Sequence, residues 1–253
     1  MSWFRKRAWI YAAVLVLFTW WSMRKTEFEW ENFKELSNAF VFLQERFLPG
    51  TWDIIPSLMD PILVTLAVAF LGTFIAFLIA LPLSYTAAKN TTSNRFIYFF
   101  NRFFLSILRS VPEIVFGLIF VVVFGLGPFP AVMAILLHNI GVLGKLISEL
   151  VEAADPGPQE AMKSVGAGRR TGNLFSILPQ IWPNVLSHYF YRFEVAIRTS
   201  LILGFIGGGG IGQKLINDFN SYNYQAVTVE VLLIMILVII VDLFGAFVRK
   251  KVI

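Results

Sequence analysis

The charged and polar side chains best placed for binding chemistry lie inside an apolar stretch, residues 184–206. At 100° per residue, His188, Arg192 and Thr199 share one face of a helix. Glu194 and Arg198 lie one turn apart on another face, where they could form an ion pair. Ionisable residues in an apolar segment are costly and usually face a helix bundle or an aqueous cavity. This stretch is therefore a candidate binding segment.

Several other kinds of chemistry are excluded by the sequence. The 253 residues include no cysteine, which excludes disulfides, thiolate catalysis and Cys-ligated metals. The two histidines have no clustered ligand partners, so we expect no metal site. Neither a GxxxxGK[ST] sequence nor a nucleophile–base motif is present. We therefore expect no catalytic residue and no bound cofactor in this chain.

The composition predicts a membrane protein. Hydrophobic residues make up 57% of the chain, charged residues make up 15%, and the mean hydropathy is +0.71. Soluble domains carry about 25% charged residues. A soluble protein of this size could not bury so much apolar surface, so lipid must be its solvent. The predicted fold class is an all-α polytopic membrane protein.

About six segments approach the roughly 20 apolar residues that a spanning helix needs. The predicted spans are residues 8–23, 58–84, 111–126, 131–150, 184–206 and 227–248. The first has the charge and length of a signal peptide. However, it ends in Trp20, Trp21 and Met23 instead of small residues, so we interpret it as a retained anchor. The predicted domains are an N-terminal anchor with an external amphipathic segment, 1–57, and a membrane domain, 58–253.

An amphipathic helix is predicted in the polar stretch 24–57. Apolar residues recur there at steps of three and four, namely Phe33, Leu36, Phe40, Leu43 and Phe47. Such a stripe would lie on the membrane surface or on a neighbouring helix. The role of residues 28–47 stays open between contact with an external protein, lipid and a second copy of the chain.

A break is predicted before the third span. The chain is apolar from Phe96 to Gly127, which is too long for one ordinary span, and Arg109, Ser110, Pro112 and Glu113 interrupt it. We predict a short amphipathic helix, a structural kink and then the span. Polar neighbours must satisfy the backbone groups that Pro112 frees. In the fourth span, His138 and Asn139 are interpreted as residues that form hydrogen bonds between helices.

The distribution of basic residues predicts the orientation. Eleven Lys and Arg residues lie on one side of the six spans and five on the other. The positive-inside rule places the heavier side, with both termini, in the cytoplasm. The polar loop 151–182, between spans four and five, is then cytoplasmic as well.

The first half of that loop predicts a short helix. Gly157-Pro158 suits a helix start, and Glu160 in the first turn would complement the helix dipole. Gly166 and Gly168 could end this helix in the left-handed conformation.

The second half of the loop predicts another short helix. It would begin at Arg169 and be stopped by Pro179 and Pro183. Two short helices at an angle would form a rigid knob, suited to a groove on another protein.

This loop resembles the EAA loop of the permease subunits of ABC importers. That pattern has Glu-Ala-Ala, a Gly six residues after the Glu, and Leu-Pro further on. The chain has, at the matching spacing, Glu160, Ala161, Gly166, Leu178 and Pro179. It departs from the pattern at Met162 and Ser176. The alternative is an ordinary helix–Gly–helix loop.

The resemblance extends over roughly residues 58–250. Segments 109–128, 150–158 and 191–212 look like the phosphonate-type ABC importer permeases. This resemblance implies a homodimeric, multi-pass permease of the bacterial inner membrane, two copies of a cytoplasmic ATPase and an external substrate-binding protein. It implies import of a phosphonate or related phosphorus oxyanion by alternating access, with ATP hydrolysis in the partner, where ATP and Mg would bind. Phosphonate, phosphite, hypophosphite and phosphate all stay open as ligands, because the binding protein makes most of the choice.

Within this implied function, a first group of residues would dock the ATPase. They are Glu160, Ala161, Gly166, Arg169 and Arg170. A stiff lever at this place would let nucleotide-driven closure rock the spans.

A second group would line the substrate path. We hypothesise that Arg198, Thr199 and Ser200 lie near the pore with Glu194, where hydroxyls and a cation could help an oxyanion pass. The alternative is that Glu194–Arg198 is a structural pair and that Arg192 lies at the cytoplasmic end. The glycines Gly207, Gly208, Gly209, Gly210 and Gly212 could form a gate or hinge at the outer end of span five, or a plain tight turn.

Three other functions are considered. A secondary transporter without ATP is disfavoured, because the carboxylates Asp60, Glu113, Glu149 and Asp242 lie near predicted span ends and not at mid-membrane. A membrane-embedded enzyme has no supporting motif. An ABC importer of another class, such as methionine or phosphate, stays open.

Overall fold

The computed structural model describes the backbone of residues 2–252; the side chains of residues 2–6, 30, 32, 251 and 252 are not described. Arg5, Lys6 and Lys251, which contribute to the orientation prediction, therefore lie outside the described side chains. The described chain divides into two compact units, Met1–Pro49 and Gly50–Ile253. Its α-helices are α1 (Ser2–Lys25), α2 (Leu36–Phe47), α3 (Ile55–Thr86), α4 (Arg95–Ser110), α5 (Glu113–Phe124), α6 (Pro128–Ala153), α7 (Pro156–Ser164), α8 (Arg169–Phe205), α9 (Gly210–Asn220) and α10 (Tyr224–Val252).

The N-terminal unit holds α1, α2 and a short 3₁₀ helix, Trp30–Glu35, between them. The guanidinium of Arg24 lies 4.7 Å from the ring centre of Trp20 at the end of α1. The predicted apolar stripe is not on one continuous helix, because Phe33 belongs to the 3₁₀ helix. Leu36 and Phe40, on α2, are exposed within this unit.

Four stretches of the described chain are long and apolar enough to cross a membrane. They are Trp52–Thr86, Pro128–Ala153, Arg169–Asn220 and Tyr224–Lys250. α4 and α5 together make a fifth if they count as one bent span. α1 does not qualify, because basic residues lie close to both ends of its apolar run. The observed number of candidate spans is therefore four or five, where the sequence predicts about six.

The predicted break before the third span is confirmed, but the span itself differs. α4 and α5 meet at an angle of 86°, with Val111 and Pro112 between them. α5 has 12 residues, which at 1.5 Å per residue extend about 18 Å. This is short of the roughly 30 Å of a hydrocarbon core. The prediction that residues 111–126 form a complete span is therefore wrong, and a crossing here needs α4 as well.

Glycines allow α4 to cross α6 at close range. A Cβ atom on Gly141 would lie 2.6 Å from the backbone nitrogen of Arg109, and one on Gly144 would lie 2.6 Å from Leu105 Cδ2. Leu105 and Gly144 are both buried. Small residues at such crossings bring helix backbones together where lipid gives no hydrophobic driving force.

Gly141→Ala is therefore expected to lower the free energy of unfolding by about 1–3 kcal/mol, as overpacking does in well-packed interiors. The added methyl group meets backbone, which cannot move aside like a flexible side chain. Thermal unfolding in detergent measures the change. Gly168→Ala is the matched control, because a Cβ there meets nothing within 4 Å. Equal stability of the two variants would contradict the close α4–α6 packing.

α8 is a single helix of 37 residues that passes through Pro179 and Pro183. The prediction that these prolines stop a short helix is wrong. Each proline removes one backbone hydrogen bond, but Ile177, Ile181 and Val185 stay buried across both positions. Packing against neighbouring helices thus holds the helix together. At 1.5 Å per residue α8 is about 55 Å long, so it extends well beyond a hydrocarbon core of about 30 Å.

One end of the helical bundle carries a group of basic side chains. The turn after α3 meets the end of α6, where the Lys89 backbone nitrogen donates to Glu152 Oε1 (2.9 Å) and Asn90 Nδ2 donates to Val151 O (2.7 Å). A cavity of about 380 Å³ at this end is lined by residues that include Asn90, Lys163 and Arg169. We call this end the basic end, and its described basic residues include Lys89, Arg95, Lys163, Arg169 and Arg170.

The opposite end has little positive charge. Gly127 N donates to Gly207 O (2.8 Å), which joins the α5–α6 connection to the α8–α9 connection. Thr51 N donates to Gln225 O (3.2 Å), which joins the segment before α3 to the start of α10. Within the described part of unit Gly50–Ile253, the basic residue at this opposite end is Lys214 on α9. The two polar connections that the sequence places on one side, 85–95 and 151–182, thus share the basic end.

Candidate functional site

α7 begins earlier than the sequence predicts. Its first residue is Pro156, and the side chain of Asp155 caps it by accepting from Gly157 N (3.0 Å). Glu160 therefore lies outside the first turn, and Asp155 is the acid that complements the N-terminus. Gly166 has a φ of +78° after the end of α7, as predicted. Gly168 differs from the prediction, since it has a φ of −61° and begins α8.

Two polar contacts hold α7 against α8. Buried Gln159 donates through Nε2 to Asn173 Oδ1 (2.7 Å). Near the start of α7, the Asp155 backbone nitrogen donates to Gln180 Oε1 (2.9 Å), and Gln180 Nε2 donates to Asp155 O (3.3 Å). One contact lies at Asp155, just before α7, and the other lies about one turn later at Gln159. Two separate points of attachment fix the direction of α7 as well as its position. We call them the α7 clamps.

The residues predicted to dock a partner share the surface that the clamps leave open. Glu160, Ala161, Gly166, Arg169 and Arg170 are all exposed. Gln159 and Asn173, in contrast, face inward and are buried. The structure therefore presents a short, stiff helix whose outer face is free in this chain. The docking role of these residues stays a prediction.

A buried polar cluster links four helices at the start of α5. Arg192 donates through Nε (2.8 Å) and Nη2 (2.6 Å) to Asn139 Oδ1, and through Nη2 to Glu113 Oε1 (3.1 Å). Asn139 Nδ2 donates to Thr73 Oγ1 on α3 (3.1 Å). His138 places Nε2 3.3 Å from Glu113 Oε1. We call Thr73, Glu113, His138, Asn139 and Arg192 the central cluster.

The central cluster also supplies a hydrogen-bond partner for a backbone carbonyl at the kink between α4 and α5. His138 Nδ1 is 2.9 Å from Val111 O, a carbonyl freed where α4 ends. The predicted interhelical bonding by His138 and Asn139 is therefore confirmed. The interpretation that Arg192 lies at the cytoplasmic end is wrong, because Arg192 is 8% exposed and bonded inside the bundle.

Glu194 and Arg198 do not pair with each other. Glu194 is buried and forms an ion pair with Arg249 on α10. Arg198 forms its own ion pair with Asp242 on α10, at 2.8 Å, with both side chains about half exposed. The predicted pairing within α8 is wrong because the neighbouring helix α10 offers each side chain a partner of opposite charge.

Arg198→Gln tests the predicted role of Arg198 in the substrate path. If its positive charge guides an anion, this variant lowers uptake several-fold, whereas Asp242→Asn, which removes only the negative partner, does not. A half-exposed ion pair contributes at most about 1 kcal/mol to stability, so both variants are expected to assemble. Uptake into vesicles is the measurement. Equal loss in the two variants would show a structural pair and remove Arg198 from the path.

Ser200 faces a different direction from Arg198. Its hydroxyl donates to Ile197 O (2.9 Å) and lies 3.4 Å from Thr65 O on α3. Thr65 Oγ1 in turn accepts from Ile211 N at the start of α9 (3.0 Å). Arg198, Ser200 and Glu194 thus do not converge on one site in this chain, and Thr199 is partly buried. A role for each of the four in the path stays a prediction.

The glycine run makes a tightly packed turn between α8 and α9. Gly207, Gly209 and Gly210 have positive φ angles, and a Cβ on Gly210 would lie 2.3 Å from Thr65 Oγ1. A Cβ on Gly212 would lie 2.1 Å from Leu201 O. These contacts require glycine for close approach whether or not the turn moves. The gate role stays a prediction.

The central cluster is the buried polar feature that sequence reasoning missed as a unit. Glu113 and Arg192 are 79 residues apart, so no local spacing links them. The polar pair His138–Asn139 in the middle of an apolar span was the available signal, because such a pair needs partners on other helices.

Comparisons with known proteins place this arrangement in a family. A family model described as "Binding-protein-dependent transport system inner membrane component" matches residues 80–253. The chain belongs to this family. It is a multi-pass permease subunit of the inner membrane, and ATP hydrolysis takes place in a separate subunit. A binding-protein-dependent permease works with an ATPase and a substrate-binding protein as partners.

Two curated permeases are similar to this chain in sequence. It is 37% identical over 212 residues to the phosphite transport system permease protein PtxC of Stutzerimonas stutzeri, covering 84% of this chain and 77% of that protein. It is 33% identical over 220 residues to the phosphate-import permease protein PhnE of Mycolicibacterium smegmatis. That match covers 85% of this permease but only 40% of the longer relative.

The fold of the permease is that of a solved ABC transporter. It is similar to a chain of the inward-facing MetNI methionine ABC transporter, with a TM-score of 0.71 and 20% identity. The match covers 80% of this permease and 99% of that chain.

Proposed function

We propose that this permease moves a phosphonate or a related phosphorus oxyanion into the cytoplasm by alternating access, driven by its partner ATPase. The observation that carries the proposal is the clamped helix α7, whose outer face is free and whose inner face is bound to the long helix α8. A push on α7 is transmitted along α8 into the membrane region, because α8 is unbroken over 37 residues. The relatives named for phosphite and phosphate transport support the substrate class.

The finer arrangement is part of the same proposal. Two copies of the permease form the channel, with lipid around them, and both termini and the basic end face the cytoplasm. The positive-inside rule supports this orientation, because the basic end holds Lys89, Lys163 and Arg169, whereas the opposite end holds Lys214. α1 is the sixth span in this proposal. Its apolar run is short for a span, and its Trp residues would anchor it at the membrane interface.

Reconstitution tests the proposed function. The permease, its ATPase and its binding protein are placed in proteoliposomes, and uptake of labelled phosphite, phosphate and methylphosphonate is measured with and without ATP. We expect ATP-dependent accumulation of at least one of the three. Uptake of none of these anions, or uptake that does not need ATP, would contradict the proposal.

A different importer class is the alternative. The fold similarity to the methionine transporter concerns architecture, since the identity is 20%. A permease of Bacillus subtilis named for methionine import is 27% identical over 148 residues, less than the phosphite permease. Methionine in the same uptake assay separates the two classes.

A further inference from the structure

The central cluster lies at mid-depth in the bundle. Asn139 lies eleven residues after α6 begins at Pro128 and fourteen before it ends at Ala153, or about 17 Å and about 21 Å along the axis. Thr73 is similarly central in α3, which runs from Ile55 to Thr86. α5 begins at this depth, with Glu113 as its first residue. The cluster is thus far from both ends of the bundle, so the prediction that Glu113 lies near a span end and not at mid-membrane is wrong.

The N-terminus of α5 makes this place attractive to an anion. The first backbone N–H groups of a helix lack partners within the helix, and the helix dipole adds partial positive charge there. Pro112 is the residue before the helix, and its side chain makes no capping hydrogen bond to these N–H groups. Half-helices that end at mid-membrane commonly direct such N-termini at anionic groups of a substrate. α5, with 12 residues, is such a half-helix.

Arg192 and His138 converge on the Glu113 side chain. Glu113 Oε1 lies 3.1 Å from Arg192 Nη2 and 3.3 Å from His138 Nε2. His138 is held from its other side as well, because its Nδ1 lies 2.9 Å from Val111 O. The Glu113 carboxylate therefore lies between a guanidinium and an imidazole.

The side chains around Glu113 are buried and held in fixed orientations. Arg192 is 8% exposed, His138 9% and Asn139 fully buried. Asn139 orients the guanidinium with two hydrogen bonds, and Thr73 orients Asn139. Arginine in a planar, pre-oriented setting suits the paired oxygens of a carboxylate or a phosphorus oxyanion. Glu113, whose side chain is 22% exposed, is the least buried member of the ion pair with Arg192 and the one most able to leave.

We propose that the α5 N-terminus, Arg192 and His138 form an oxyanion-binding site at mid-membrane, which the Glu113 carboxylate occupies in this conformation and from which the transported oxyanion displaces it. Glu113 acts as an internal substitute that keeps the buried guanidinium of Arg192 paired when no substrate is present. This avoids the cost of leaving a buried guanidinium without a partner. The inference rests on the proposed transport of a phosphorus oxyanion and adds where in the chain the anion binds.

Direct anion binding by the permease tests this site. The permease–ATPase complex is placed in nanodiscs without the binding protein and titrated calorimetrically with phosphite, phosphate and methylphosphonate. Glu113→Ala is expected to bind at least one of these probes about tenfold or more tightly than the wild type, because the competing carboxylate is gone. Glu113→Ala combined with Arg192→Gln is expected to lose the gain. Glu149→Gln is the matched control, because it removes an exposed carboxylate paired with Lys145 and is expected to bind like the wild type.

A second variant covers the case in which Glu113→Ala does not assemble. Glu113→Gln keeps the volume and removes the charge, so it must also bind the probes more tightly than the wild type. Affinity equal to the wild type in the assembled Glu113 variant, or a gain that survives Arg192→Gln, would overturn the site.

Uptake by the wild-type complex distinguishes failure of the proposed site from failure of the proposed function. ATP-dependent uptake of a phosphorus oxyanion, together with no gain in binding by the Glu113 variants, would overturn the site alone. Absence of such uptake would overturn the proposed function, and with it the substrate class assigned to the site.

Discussion

Arg192→Gln is expected to destabilise the permease by about 3–5 kcal/mol, because it leaves the carboxylate of Glu113 in the bundle without its cationic partner. The guanidinium is 8% exposed and forms three hydrogen bonds to Asn139 and Glu113. The free energy of unfolding, measured with a denaturing detergent titration, gives the size of the effect, and uptake is expected to be lost.

The double variant Arg192→Gln with Glu113→Gln separates charge from shape. Once both charges are gone no buried ion is left unpaired, so at least half of the lost stability is expected to return. Uptake is not expected to return, because the cation is still missing. Glu149→Gln, which removes a half-exposed carboxylate paired with Lys145, serves as the control for removing an ion pair. If Arg192→Gln were no less stable than this control, the central cluster would not hold the bundle together.

Cutting both α7 clamps is expected to separate ATP hydrolysis from transport. Gln159→Ala removes the donor to Asn173, and Gln180→Ala removes both contacts with the Asp155 backbone. Loss of the partner of buried Asn173 costs about 1–3 kcal/mol. The exposed contacts of Gln180 with Asp155 are lost as well, so α7 loses its fixed direction against α8. We expect uptake to fall about tenfold or more while the assembled complex still hydrolyses ATP.

The ratio of anions imported to ATP hydrolysed is the measurement for this double variant. Ser164→Ala is a matched control, because it removes a hydrogen bond within α7, from Ser164 Oγ to Glu160 O, and leaves both clamps intact. An unchanged ratio in the double variant, with the complex assembled, would show that α7 does not transmit force through α8.

The helical nature of the membrane domain follows from the sequence because apolar runs and basic flanks are local signals. α3, α6 and α10 lie where the runs 58–84, 131–150 and 227–248 predict them. The break near Pro112 was also predictable, since proline and arginine interrupt an apolar run. The end of α7 at Gly166 is similarly local, because glycine readily adopts the positive φ found there.

Features that depend on tertiary packing were not predictable in the same way. The continuity of α8 through Pro179 and Pro183 depends on buried contacts of Ile177 and Ile181 with other elements. The partners of Glu194 and Arg198 lie on α10, so helical spacing within α8 suggests a pair that competition with α10 prevents. The helix α9 was missed because its polar residues and preceding glycines are typical of a loop.

The central claim is that α7 faces the cytoplasm and docks a separate ATPase. The chain has no cysteine, so Ala161→Cys gives a single thiol on the exposed face of α7. Its reaction with a membrane-impermeant maleimide is measured in inside-out and right-side-out vesicles, with and without the ATPase. We predict labelling in inside-out vesicles only, and protection when the ATPase is bound. Labelling from the outer side, or labelling that the bound ATPase does not reduce, would contradict the account.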